Sequence, residues 1–159
     1  MEANSEAHDQ ARKSVLEAAR SISADLVDTL GGKMTGRGAF RGCAETATGK
    51  IDKVEYTVTA RVDPGRGAPT PLLSAARPAL AAAGLTPGQE REAPSGRSVS
   101  ATKGELGASV TEVDGAKIVD PSGQPGAGRW LILKIAGPCL VLDEEKRVKP
   151  KPDVIVLGP

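Results

Sequence analysis

Lys53-Val54-Glu55-Tyr56-Thr57-Val58-Thr59-Ala60-Arg61-Val62-Asp63 decides the fold class of this chain. Val54, Tyr56, Val58, Ala60 and Val62 alternate with Glu55, Thr57, Thr59 and Arg61. Successive side chains of a strand point to opposite faces. The pattern therefore predicts a strand with one face in a core and the other in water, as in an antiparallel sheet covered on one side. Upstream, Thr48-Gly49-Lys50 makes a turn and Arg37–Thr46 reads as a first strand, weakened by its glycines. Together the two strands form a hairpin.

The sheet needs a cover, and two segments supply it. From about Asp9 to Leu30 the residues Ala11, Val15, Ala18, Ile22, Leu26 and Leu30 recur at steps of three and four, one apolar stripe of a helix. Asp9 suits its N-cap and Gly31-Gly32 stops it. A second helix is predicted over about Thr70 to Ala83, capped by Thr70 and ended by Gly84, with Leu72, Leu73, Ala76, Leu80 and Ala83 buried. Pro78 conflicts with that span, because inside a helix it removes a hydrogen bond and crowds the preceding turn. The helix is expected either to kink there or to begin nearer Pro78.

Beyond this lie a polar stretch, Pro87–Gly96, and two weakly alternating strands, Arg97–Lys103 and Gly107–Val113. Asp114-Gly115 reads as a two-residue hairpin turn, and Asp120–Gly128 as a flexible loop. Trp130–Ala136 is a strongly apolar, central strand. A charged tail over Asp143–Pro152 contains the extended Lys149-Pro150-Lys151-Pro152. It leads to Val154-Ile155-Val156-Leu157, a run expected to pair with a sheet edge. The order predicts an α+β fold: a mostly antiparallel sheet of five to six strands with two helices packed on one face. Residues 1–8 read as a disordered N-terminus, 9–142 as one domain and 143–159 as the tail.

The chain has 159 residues, enough for one core. Its 21 Lys+Arg balance 20 Asp+Glu, so no strong field draws it to nucleic acid. No run approaches the roughly 18 apolar residues of a membrane helix. The start, Met1-Glu2-Ala3-Asn4-Ser5-Glu6, is polar and acidic, unlike a signal peptide. If the protein is exported, its signal is expected to have been removed. Trp130, Tyr56 and Phe40 are the only large aromatics, so the core must be aliphatic.

Cys43 and Cys139 are the only cysteines. They are too distant for a CxxC motif, and no Cys/His cluster surrounds either. A pair of this kind reads as one long-range disulfide of an exported protein, the alternative being two unrelated buried thiols.

The helix ending Leu80-Ala81-Ala82-Ala83-Gly84-Leu85, the polar strands after it and the apolar strand ending Gly137-Pro138-Cys139 resemble small actinobacterial cell-envelope lipoproteins of unknown function. The Ala/Gly/Arg-rich composition is similar too, and the likeness spans Ser14–Leu142. The resemblance implies export and a lipid anchor on a cysteine upstream of the mature domain. It carries no catalytic residues to transfer.

Gly31-Gly32-Lys33-Met34 is not a phosphate loop, since Met34 stands at the Ser/Thr position and the segment follows a helix. Gly36-Arg37-Gly38 and Gly126-Ala127-Gly128 do not complete a dinucleotide fingerprint, and no cofactor is implied. His8, the only histidine, lies near the chain start with no partner in view. No Gly-x-Ser-x-Gly or Ser-x-x-Lys motif occurs. Asp143-Glu144-Glu145 reads as a solvated loop. Lys33, Arg37 and Arg41, with Arg61 across the hairpin, make a weak anion-patch candidate. Trp130, Ile132 and Lys134 share one face of their strand, opposite Leu131, Leu133 and Ile135. If helices cover only the other face, this one is the leading candidate for binding a partner, because an exposed Trp beside an aliphatic residue is a good anchor; the alternative is that both faces are covered and Trp130 is simply core.

These readings favour an exported, non-catalytic binding domain at the cell envelope, with an envelope protein or a small ligand as partner. A homodimer through a sheet edge or the Trp130 face is a further arrangement. The alternatives are a small cytosolic interaction module and a hydrolytic enzyme using carboxylates or hydroxyls.

Overall fold

The computed structural model describes residues 2–45, 47, 49, 51–94, 96–117, 128–142 and 153–157. Helix α1 spans Glu2–Leu30, strand β1 Lys33–Glu45 and strand β2 Ile51–Asp63. A 3-10 turn over Leu72–Ala75 runs into helix α2, Ala76–Ala82. Strands β3 (Thr86–Ala93), β4 (Gly96–Lys103), β5 (Leu106–Asp114), β6 (Arg129–Ala136), β7 (Leu140–Val141) and β8 (Asp153–Leu157) follow. All eight belong to one sheet in the order β3-β4-β5-β6-β2-β1-β8, with β7 also on β2, and every pairing is antiparallel.

The fold is therefore α+β, with both helices on one face. The sheet is wider than the five to six strands expected. The polar stretch Pro87–Gly96 supplies the extra edge strand, β3. It lacks apolar alternation because an edge strand has little core to face, and its charges, Pro87 and a register shift between Pro87 and Glu90 suit an edge. The other edge is β8, which pairs Asp153–Leu157 with Met34–Gly38 as expected.

Val54, Tyr56, Val58, Ala60 and Val62 are buried, under Val15, Ile22 and Leu26 of α1. Leu131, Leu133 and Ile135 of β6 and Val110 and Ala108 of β5 continue the same layer. This is the face predicted for β2. Helix α1 begins at Glu2 rather than Asp9, so residues 2–8 are helical where disorder was expected. Its early turns are tied to the sheet: the His8 ring packs edge-on against Phe40 at 5.7 Å, and Phe40 against Tyr56 at 4.9 Å. His8 is thus a packed side chain.

Strand β1 is longer than its glycines suggested. Gly36 and Gly38 face the core, and Tyr56 fills the space over Gly38, where a Cβ would strike its phenol oxygen. A cross-strand aromatic thus replaces the missing side chain.

The α2 region resolves the Pro78 conflict. The α-helix starts at Ala76, so Pro78 lies in its first turn, where backbone N–H groups lack helical partners. Thr70 is not a cap: the residue before the 3-10 turn is Pro71, and the Thr70–Pro71 bond is cis. At the other end Leu85 N donates to Leu80 O at 3.1 Å and Gly84 N to Ala81 O at 2.9 Å, with Gly84 at φ 87°. This is a Schellman stop with Leu80 and Leu85 both in the core. It accounts for the whole motif Leu80-Ala81-Ala82-Ala83-Gly84-Leu85.

Asp114-Gly115 is not a two-residue turn. Asp114 closes β5 and pairs with Arg129, the next strand's first residue. Its carboxylate accepts the Ala116 N–H at 3.0 Å and opens a 3-10 turn, Gly115–Lys117. The tight hairpin lies instead between Lys103 and Leu106, with Gly104 at φ 59°. The segments 118–127 and 143–152, which include most of the loop Asp120–Gly128 and the charged tail, lie outside the described residues.

Candidate functional site

The predicted disulfide is present. Cys43 and Cys139 are bonded with their Cα atoms 6.0 Å apart, across a sequence separation of 96. β1 and the β6–β7 segment flank β2 on opposite sides, so the bond reaches past β2 and ties its two neighbours together.

The face of the sheet away from the helices holds both groups of candidate residues. Strand alternation puts Trp130, Ile132 and Lys134 there, opposite the buried Leu131, Leu133 and Ile135. On β1 and β2 the same parity places Lys33, Arg37, Arg41 and Arg61 on this face. Sequence reading treated them as two separate sites. The pairing of β2 with β6 joins them, because Arg61 stands opposite Ile132. The Arg61 guanidinium then lies 4.2 Å from the centroid of the Trp130 ring, a cation–π contact. It also binds Asp63, with Nε and Nη2 each 2.9 Å from one carboxylate oxygen. Trp130 and Ile132 are half-buried; Lys134, Arg37, Arg41, Arg61 and Lys33 are exposed.

Three ladders cross this face. One runs Arg37–Thr59–Lys134–Ser109–Ser100 and the next Thr35–Arg61–Ile132–Thr111–Ser98. The third runs Ala39–Thr57–Ala136–Gly107–Thr102. The surface is chiefly hydroxyl and cationic around Trp130 and Ile132. The Val154–Leu157 run extends the sheet at β1.

Among the described residues, cavities also lie elsewhere, two of them with a distinct lining. The larger, about 690 Å³, runs between α1, the end of α2 and the β4–β5 turn, with Ala11, Ala18 and Ala82 as well as Glu17, Lys103 and Glu105 in its lining. The smaller, about 220 Å³, gathers Glu90, Glu92, Arg97, Glu112, Asp114 and Arg129. Its charges answer one another. Arg97 pairs with Glu90 and Glu92, and Arg129 with Asp114 at 3.4 Å and Glu112 at 2.8 Å. The hydrogen bond to Glu112, and then the charge of Asp114, raise the Arg129 pKa above its ordinary value. Glu112 is 4% exposed, and its other oxygen accepts the Leu73 N–H at 2.7 Å. It thereby serves an N–H of the 3-10 turn that no local side chain caps. Sequence reading missed it. Its only signal is a carboxylate at a core-facing position of β5, between Val110 and the end of the strand.

Comparison with known protein families, with curated proteins and with solved structures found no match to this chain.

Proposed function

We propose that this protein is an exported, non-catalytic binding domain of the cell envelope, and that it binds through the open face of its sheet. One observation carries the reading. The only tryptophan sits half-exposed on the face that neither helix covers, with a guanidinium stacked on its ring. Aromatic anchors of this kind supply much of the energy in binding surfaces. The envelope location is supported by the disulfide, because Cys139 is exposed and a reducing cytosol would attack it. The resemblance to envelope lipoproteins adds an upstream lipid anchor to the same proposal. No helix among the described residues is long and apolar enough to cross a membrane.

Trp130→Ala tests the site. Capture of an envelope component by the immobilised wild-type protein is expected to be lost in the variant. Far-UV circular dichroism and the melting temperature should stay close to wild type, since Trp130 lies outside the helix-covered core. A variant that unfolds, or one that binds as well as wild type, refutes the site.

A further inference from the structure

We propose that the open face recognises an acidic polysaccharide, with a sugar carboxylate seated over Thr59 between Arg37 and Lys134 and another part of the chain resting on Trp130. This inference rests on the binding reading above and names the ligand chemistry for it.

The charges on the face are not equivalent. Arg61 is bonded to Asp63, Lys33 stands opposite Asp63, and Arg41 stands opposite Glu55. Arg37 and Lys134 form no ion pair among the described residues. Both flank Thr59 in one ladder, Arg37 from β1 and Lys134 from β6. Neighbouring strands are about 4.8 Å apart, so the two Cα atoms are separated by about 10 Å. Side chains as long as Arg and Lys can converge over the small threonine between them. Together they offer two cations and a hydroxyl to one anionic group.

The rest of the face suits sugars better than it suits a protein. Thr59, Ser109, Thr111, Ser98, Ser100 and Thr102 present hydroxyls, each both donor and acceptor, which match the same groups on a saccharide. A protein partner needs a contiguous apolar centre. Here Val113, opposite Trp130, is 5% exposed, Trp130 and Ile132 are partly accessible, and the exposed Ile51 and Val141 stand at the far end of β2 rather than beside them. One aromatic ring amid hydroxyls is a stacking platform for a sugar ring. Arg61 pins that ring, so little side-chain freedom is lost when a ligand lands on it. From Lys134 to Trp130 the strand advances about 13 Å, longer than one sugar ring. The ligand is therefore a chain of linked sugars lying along β6.

Trp130 is the only tryptophan, so its fluorescence reports on the face directly. Polygalacturonate, uncharged dextran and poly-L-glutamate are titrated into the whole protein at low salt. A saturable change with polygalacturonate is expected, with none from dextran and at least tenfold weaker binding of poly-L-glutamate. Arg37→Gln with Lys134→Gln should weaken polygalacturonate at least tenfold, as should high salt; each single variant should show part of that loss if the double variant folds poorly. An equal response to poly-L-glutamate would assign the face to acidic polypeptides and overturn the sugar. Unchanged affinity in the folded charge variants removes the seat over Thr59. If none of the probes binds yet Trp130→Ala still abolishes capture of an envelope component, the polysaccharide inference falls and the binding reading stands. If that capture also survives Trp130→Ala, both fall.

Discussion

Gly38 and Glu112 show how single residues hold this fold. A side chain at Gly38 would enter the volume of the Tyr56 phenol, whose ring packs edge-on with Phe40. Gly38→Ala should therefore cost about 1–3 kcal/mol through overpacking. Gly107 is the control: it lies in β5 with nothing within 4 Å of where its Cβ would stand. Gly107→Ala should change stability by less than about 0.5 kcal/mol in the same urea titrations. Equal effects would mean that Tyr56 moves aside freely. Glu112→Ala removes one acceptor shared by the Leu73 N–H and Arg129, and should cost about 2–3 kcal/mol. Glu112→Gln keeps an acceptor for Leu73 and should lose less. The purpose of neither residue was legible in the chain. A glycine in a strand looks like a weakness until its cross-strand neighbour is known, and a lone glutamate looks solvated until the turn it caps is placed beside it.

Among the elements, β1 depends most on its neighbours. It has glycines on its core face, a register irregularity near Cys43 and a short partner, β8, on its outer side. The Cys43–Cys139 bond fastens its far end to the segment on the other side of β2. Replacing both cysteines by serine should lower unfolding stability by about 4 kcal/mol in the chain-entropy account, for a loop of nearly a hundred residues. Urea denaturation measures this, and reductant should move the wild type to the same midpoint. Intact mass with and without reductant should differ by two hydrogens. A midpoint indifferent to both treatments would show that packing alone holds β1. The helices and central strands were readable because period and C-terminal glycine stops act locally: the stripe from Ala11 to Leu30 and the stop at Gly84 need no tertiary partner to be recognised. Strand β3 was not readable, because an edge strand is made by the neighbour that offers it a ladder.

At the scale of the whole molecule the sheet is a partition. One side carries the aliphatic core beneath α1 and α2; the other carries hydroxyls, cations and Trp130. Substitutions at adjacent positions of β2 should report this asymmetry. Val58 is fully buried, and Val58→Ala should cost about 1–3 kcal/mol through lost burial and a residual cavity. Thr59, its neighbour on the open face, should tolerate alanine within about 0.5 kcal/mol. Comparable losses at both positions in urea titrations would contradict the one-sided cover.

By itself the sequence determined which residues of β2 face the core and where both helices end; it sorted the residues of β6 into two faces without saying which is covered, and it favoured a cysteine pair over two unrelated thiols. Each of these follows from a period, a glycine stop or a count, and such signals are complete within a short window or in the composition. Only the tertiary structure decided that Arg61 lies on Trp130, that Arg37 and Lys134 flank one threonine, and that Glu112 caps a distant turn. Those contacts arise from strand order and register. Hairpin connections constrain neighbours, but the pairing of β2 with β6 joins segments far apart in the chain, and it is set by which apolar faces bury most area together.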